Sequence, residues 1–153
     1  MFLPILIDFD YSQTLFTLSI NNKILYETQD YQTDVCSHKI DYDLKDNNCL
    51  MFDFKFLNQS SIVNIKSICI NDQSINNTNW IYVPNNKNYL DSLNKTNYKK
   101  MKLYTQLHGG QFVWEGKVIV NFTCINKNNS SYLSTRKSND SLMIDQESKI
   151  YYG

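Results

Sequence analysis

Apolar and polar residues alternate along most of this chain, the pattern of β-strands with one face buried and the other wet. In "CLMFDFKFLN" (residues 49–58), Leu50, Phe52, Phe54 and Phe56 share one side, and Cys49, Met51, Asp53, Lys55 and Leu57 the other. "TLFTLSI" sets Phe16, Leu18 and Ile20 on one face, and Asn21-Asn22 then offers a two-residue hairpin turn into "KILYE", because asparagine tolerates positive φ. "VCSHKIDYDL" places Cys36, His38, Ile40, Tyr42 and Leu44 together. In "SIVNIKSICI" the expected buried face is Val63, Ile65, Ser67 and Cys69, with Ile68 and Ile70 opposite. "NTNWIYVP" reads as a short strand stopped by Pro84. The longest expected strand is "QFVWEGKVIVNFTC", with Phe112, Trp114, Val118, Val120, Phe122 and Cys124 inward.

Two stretches break the pattern. Asn85 to Lys100 reads as a long loop with one helical turn near Tyr89 to Leu93, after which "MKLYTQL" resumes strand character and Gly109-Gly110 turns the chain. The polar segment after Asn126 lacks a clear period and is expected to be an arm or a peripheral hairpin. About eight strands with short turns predict an all-β fold: an antiparallel β-sandwich, jelly-roll-like, in one domain. Its expected bounds are residues 1–126, with residues 127–153 as the arm and the sandwich folding without them. The Phe52 face needs a facing sheet, which Phe112, Trp114, Val120 and Phe122 are expected to supply.

The charge balance narrows the function classes. Fifteen basic and fifteen acidic residues give a net charge of zero. That disfavours nucleic-acid and anionic-membrane partners, which need a basic excess. Arg136 is the only arginine, so bidentate phosphate recognition is nearly absent. Alanine is missing, glycine and proline are scarce, and asparagine, isoleucine, lysine and tyrosine abound. A very AT-rich genome accounts for this, so asparagine runs carry no functional weight. "MFLPILIDFDYSQ" has no basic start, and Pro4 and Asp8 break its apolar run, so no signal peptide is expected.

No nucleophile, phosphate-loop, dinucleotide or zinc-protease motif occurs, and a non-enzyme is expected. His38 reads as a satisfied core histidine and His108 as exposed. The cysteines at 36, 49, 69 and 124 form no C-x-x-C pair. Free, buried thiols in a reducing compartment are the favoured reading, with a disulfide between neighbouring strands as the alternative. The pairs Asp8/Asp10 and Asp41/Asp43 offer oxygen ligands of the kind that hold Ca²⁺ in lectin-like sandwiches; otherwise they are solvated strand charges. Trp80, Tyr82, Tyr89 and Tyr104 gather around the long loop and are the candidate binding residues, since planar rings stack on sugars and on protein partners alike.

Taken in order, "LFTLSINNKILYE", "KIDYDLKDNNCLMFDFKFLN", "VNIKSICINDQSI" and "FVWEGKVIVNF" resemble small β-sandwich domains of marine phage structural proteins. Those domains are similar in turn to Ca²⁺-dependent xylan-binding carbohydrate-binding modules. The resemblance spans about Leu15 to Phe122. It implies a virion structural protein, capsid-decorating or tail-associated, made in the host cytoplasm, whose partners are other virion proteins and further copies of itself. Its alternative implication is a module that recognises a host surface glycan, with Ca²⁺ as a cofactor. The chain departs from the sugar-binding pattern after "ICINDQSI", where the acidic clusters of a Ca²⁺ site are missing.

Overall fold

The segment beginning at Phe2 is the spine of one of two sheets. The computed structural model describes residues 2–85, 109–126 and 148–152. Its strands are β1 (Phe2–Ser12), β2 (Thr14–Ile20), β3 (Lys23–Glu27), β4 (Gln32–Asp43), β5 (Asn47–Phe56), β6 (Ile62–Ile70), β7 (Gln73–Ser74), β8 (Trp80–Pro84), β9 (Gln111–Phe112), β10 (Gly116–Asn126) and β11 (Ser148–Tyr152). The first sheet has the order β4-β1-β6-β7, with β9 also on β6. The second has the order β11-β10-β5-β2-β3, with β8 also on β10. The result is the expected all-β sandwich-like domain. Its pairings are antiparallel except for β10 with β11, which are parallel.

Strict alternation fills the space between the sheets. Ile5, Ile7, Phe9 and Tyr11 of β1 face Phe16 and Leu18 of β2, Leu50, Phe52 and Phe54 of β5, and Val118, Val120 and Phe122 of β10, in one buried cluster. Each large side chain removed from water contributes roughly 1.5–3 kcal/mol. Pro4 is tolerated inside β1 because pairing with β6 begins only at Ile5. Its carbonyl accepts a hydrogen bond from the Asn71 amide (2.8 Å).

Two expected strands are corrected. In β6 the inward residues are Val63, Ile65, Ile68 and Ile70, while Ser67 and Cys69 are only partly buried. The cause is a bulge: Asp8 pairs with Ser67 but Phe9 pairs with Ile65, so Lys66 is an extra residue and the phase flips after it. The expected long strand "QFVWEGKVIVNFTC" is two strands in different sheets. β9 pairs with β6, β10 pairs with β5, and the chain changes sheets between them. Trp114 lies at that crossing and is 41% exposed instead of buried. Gly116 restarts the strand where a Cβ would collide with the Val83 carbonyl.

The segment expected as an arm is in part built into the sandwich. β11 lies on the same edge of β10 as β8; β8 occupies Gly116 to Val120 and β11 occupies Phe122 to Asn126. Ile150 is buried beside Cys124. The Tyr151 carbonyl accepts hydrogen bonds from Asn71 Nδ2 (2.8 Å) and Gln73 Nε2 (2.7 Å), which tie this edge to the other sheet. Parallel pairing also excludes a hairpin between β10 and β11. The expected loop around Tyr89 and the strand "MKLYTQL" lie outside the described residues.

Candidate functional site

Two of the four sequence-predicted binding residues belong to the core. Trp80 and Tyr82 lie on β8 opposite Val120 and Val118, on the inward side of the sheet. Trp80 is 3% exposed and Tyr82 is 0% exposed. The Tyr82 ring stacks against Phe54 (6.5 Å) and lies 4.9 Å from Phe112, and its hydroxyl donates to the Trp114 carbonyl (2.7 Å). Neither ring offers a face to a sugar or a partner. Tyr89 and Tyr104 lie outside the described residues.

Among the described residues eight large apolar side chains are exposed; Phe2 and Ile24 lie near the Asn21-Asn22 end and Val35 on β4, while the other five lie toward the end of the sandwich where β5 finishes and β2 begins. Leu15, Tyr31, Leu57, Val113 and Trp114 are each more than 40% exposed. Leu15 pairs with Lys55, so Leu57 lies diagonally across from it on the outer face of the second sheet. The Thr14 amide donates to the Tyr31 carbonyl (3.1 Å), which brings Tyr31 to the same end. The Phe56 amide donates to the Glu115 carboxylate (3.4 Å), which places the Val113–Glu115 crossing beside Leu57. Ser61 holds the intervening turn: it accepts from the Leu57 and Asn58 amides and donates to the Gln13 carbonyl. Leu57 therefore sits on pinned backbone. The sequence alone places Leu57, with Met51, as an apolar partner contact on the reverse face of that strand; it misses Trp114, which is in phase with a buried face.

The opposite end carries a polar hollow of about 240 Å³, lined by Ser19, Asn21, Asn22, Lys45, Asn47, Cys49 and Met51. Asn21 and Asn22 have φ of 49° and 69°, as the two-residue turn requires. The buried Asn48 braces this end. Its Oδ1 accepts from Asn21 Nδ2 and the Lys45 amide (2.9 Å each), and its Nδ2 donates to the Lys45 carbonyl (2.8 Å).

The expected Ca²⁺ ligands have other partners. Asp8 accepts from Ser67 Oγ (3.0 Å), and Asp10 pairs with Asn64 Nδ2 (2.6 Å) and with Lys66 Nζ (3.0 Å). Asp41 and Asp43 are exposed on the edge strand β4, where charge discourages strand addition. Among the described residues, no three His, Cys, Asp or Glu side chains gather closely enough to hold a metal ion.

Across the open side of the sandwich, Tyr11 and Tyr26 join hydroxyl to hydroxyl at 2.7 Å. Burial, and then this bond, push the Tyr26 phenol well above its ordinary value. His38 is half-buried against the Tyr26 ring (6.4 Å), and its Nε2 has no hydrogen-bond partner among the described residues. It is a core histidine in position, but that nitrogen is not satisfied as expected. All four cysteines are free. Burial raises the Cys36, Cys49 and Cys124 thiols, which keeps them protonated and poorly nucleophilic at neutral pH.

No family model, no curated protein and no solved structure matches this chain.

Proposed function

We propose that this chain is a virion structural protein, a capsid-decorating or tail-associated sandwich that docks on another particle subunit through the end bearing Leu15, Tyr31 and Leu57. The observation that carries the reading is that five of the eight exposed large apolar side chains lie toward the end of the sandwich where Ser61 holds the turn after Leu57. Large apolar groups gathered on a monomer surface mark interaction sites. A rigid mount lowers the ordering cost of binding. The zero net charge suits docking on a protein face better than docking on nucleic acid. No step in this role needs catalysis.

The test is co-sedimentation with intact particles through a density gradient. The chain should travel at a fixed copy number per particle. A Leu15→Asp/Leu57→Asp variant should fold with an unchanged Tm and lose at least ~90% of its particle occupancy, because a desolvated charge at an interface core costs several kcal/mol. A wild-type chain that stays in the soluble fraction overturns the reading.

One observation favours a second reading, recognition of a host glycan: the hollow of about 240 Å³ at the opposite end, whose lining includes Asn22, Asn47 and Lys45. Amides both donate and accept, as sugar hydroxyls do. A glycan array probed with wild type and with Asn22→Ala/Asn47→Ala would separate the two readings.

A further inference from the structure

The placement of β11 has a topological peculiarity. It is short, it lies at a sheet edge, and it is parallel to the strand that precedes it in sequence. Phe122 pairs with Ser148 and Asn126 with Tyr152, so β11 starts four residues back along β10, about 13 Å away. Twenty-one residues, 127–147, separate the two strands; fully extended, that length reaches about 70 Å. A parallel return within one sheet needs only about a dozen residues.

The slot that receives β11 is built entirely by the rest of the sandwich. The free half-edge of β10 supplies the ladder. Asn71 and Gln73, on the turn between β6 and β7, supply two side-chain amides for the Tyr151 carbonyl. The apolar cluster beside Cys124 takes Ile150, which is 1% exposed. Asn71 and Asp72 hold positive φ of 52° and 61°, a tight turn that aims the amides at the slot.

We propose that Ser148–Tyr152 is an exchangeable strand, and that in an assembly the slot of each copy is filled by β11 of a neighbouring copy. Every ladder bond, both amide contacts and the Ile150 burial are the same whichever copy donates the strand. Only the tether differs. Docking within one chain corresponds to an effective concentration on the order of millimolar, so copies crowded to that level compete with self-docking. This interface is separate from the Leu15–Leu57 end and does not rest on the virion reading.

The test uses the full chain with Cys36, Cys49 and Cys69 replaced by serine and with Ile150→Cys placed beside the native Cys124. Registered neighbours on paired strands lie within disulfide reach. Oxidation at about 1 μM should give intrachain bonds, and oxidation at about 1 mM should give covalent dimers and longer ladders under denaturing, non-reducing conditions. Monomers alone at both concentrations would overturn the proposal. If that variant does not fold, deletion of residues 131–145 decides: the six residues left, too few for a parallel return, forbid self-docking. Light scattering should then show dimers or larger species with a Tm near that of the wild type. Monomers with the Tm of a chain lacking β11 would overturn it. A Leu15→Asp/Leu57→Asp chain should exchange normally, so the two interfaces fail independently.

Discussion

Phe54 has four other rings around it: Phe56 at 5.8 Å, Phe112 at 5.7 Å, and Phe16 and Tyr82 at 6.5 Å. It joins both sheets through aromatic packing that no smaller side chain can replace. Phe54→Ala should cost about 3–5 kcal/mol, read as a shift of the urea midpoint with an unchanged slope. Tyr26 makes a pH prediction. Its phenol is raised above the ordinary 10.0 in the folded chain, so above pH 10 the unfolded chain has lost a proton that the folded chain keeps. The unfolded state then binds fewer protons, and stability falls as pH rises. Thermal melts should show Tm declining above about pH 10, and Tyr26→Phe should flatten that decline. The raised thiols act in the same direction from about pH 9, so the comparison is best made in a background with Cys36, Cys49 and Cys124 replaced by serine. Some of this scale was legible in the sequence: the inward Phe52 and Phe54 follow from period two alone. Trp80 and Trp114 were not. Indole has both core and surface uses, and which it takes depends on where the chain changes sheets.

At the scale of elements, a single extra residue can invert a reading. The Lys66 bulge moved the buried set of β6 from Ser67 and Cys69 to Ile68 and Ile70. The sequence held a hint, since two isoleucines opposite a serine and a cysteine is an improbable way to arrange a core. The β2–β3 hairpin was easier because it is local, closed by the Asn21-Asn22 turn. The partition of β9 from β10 and the docking of β11 depend on partners tens of residues away, and periodicity carries no information about those. Removing residues 148–153 should cost roughly 3 kcal/mol, from the lost burial of Ile150 and the lost ladder bonds. Calorimetry on the truncated chain should show a lower Tm. An unchanged Tm would mean that β11 contributes nothing to the fold.

At the scale of the whole molecule, the two ends differ. One exposes Leu15, Tyr31, Leu57, Val113 and Trp114 near the turn held by Ser61; the other carries the hollow braced by Asn48, with Phe2 and Ile24 exposed nearby. The two sides differ as well. Along one, β8 and β11 share an edge of β10 while β7 and β9 share an edge of β6. Along the other, β3 meets β1 at the Tyr11–Tyr26 contact and β4 where Tyr26 packs on His38. The class of fold could be read from alternation, whereas this polarity could not, because it is made by side chains brought together only after both sheets form.

The position of β10 in the chain has a consequence for biosynthesis. β5 sits between β2, made early, and β10, made some sixty residues after it. While the ribosome is still translating the intervening stretch, β5 is an open edge whose Leu50, Phe52 and Phe54 lack half of their neighbours. Synthesis at about 5–20 residues per second keeps that edge bare for several seconds. Nascent chains on one messenger thus carry the same sticky edge at the same time. The yield of this protein in a cell should depend on translation speed and on chaperone supply as much as on the stability of the finished sandwich.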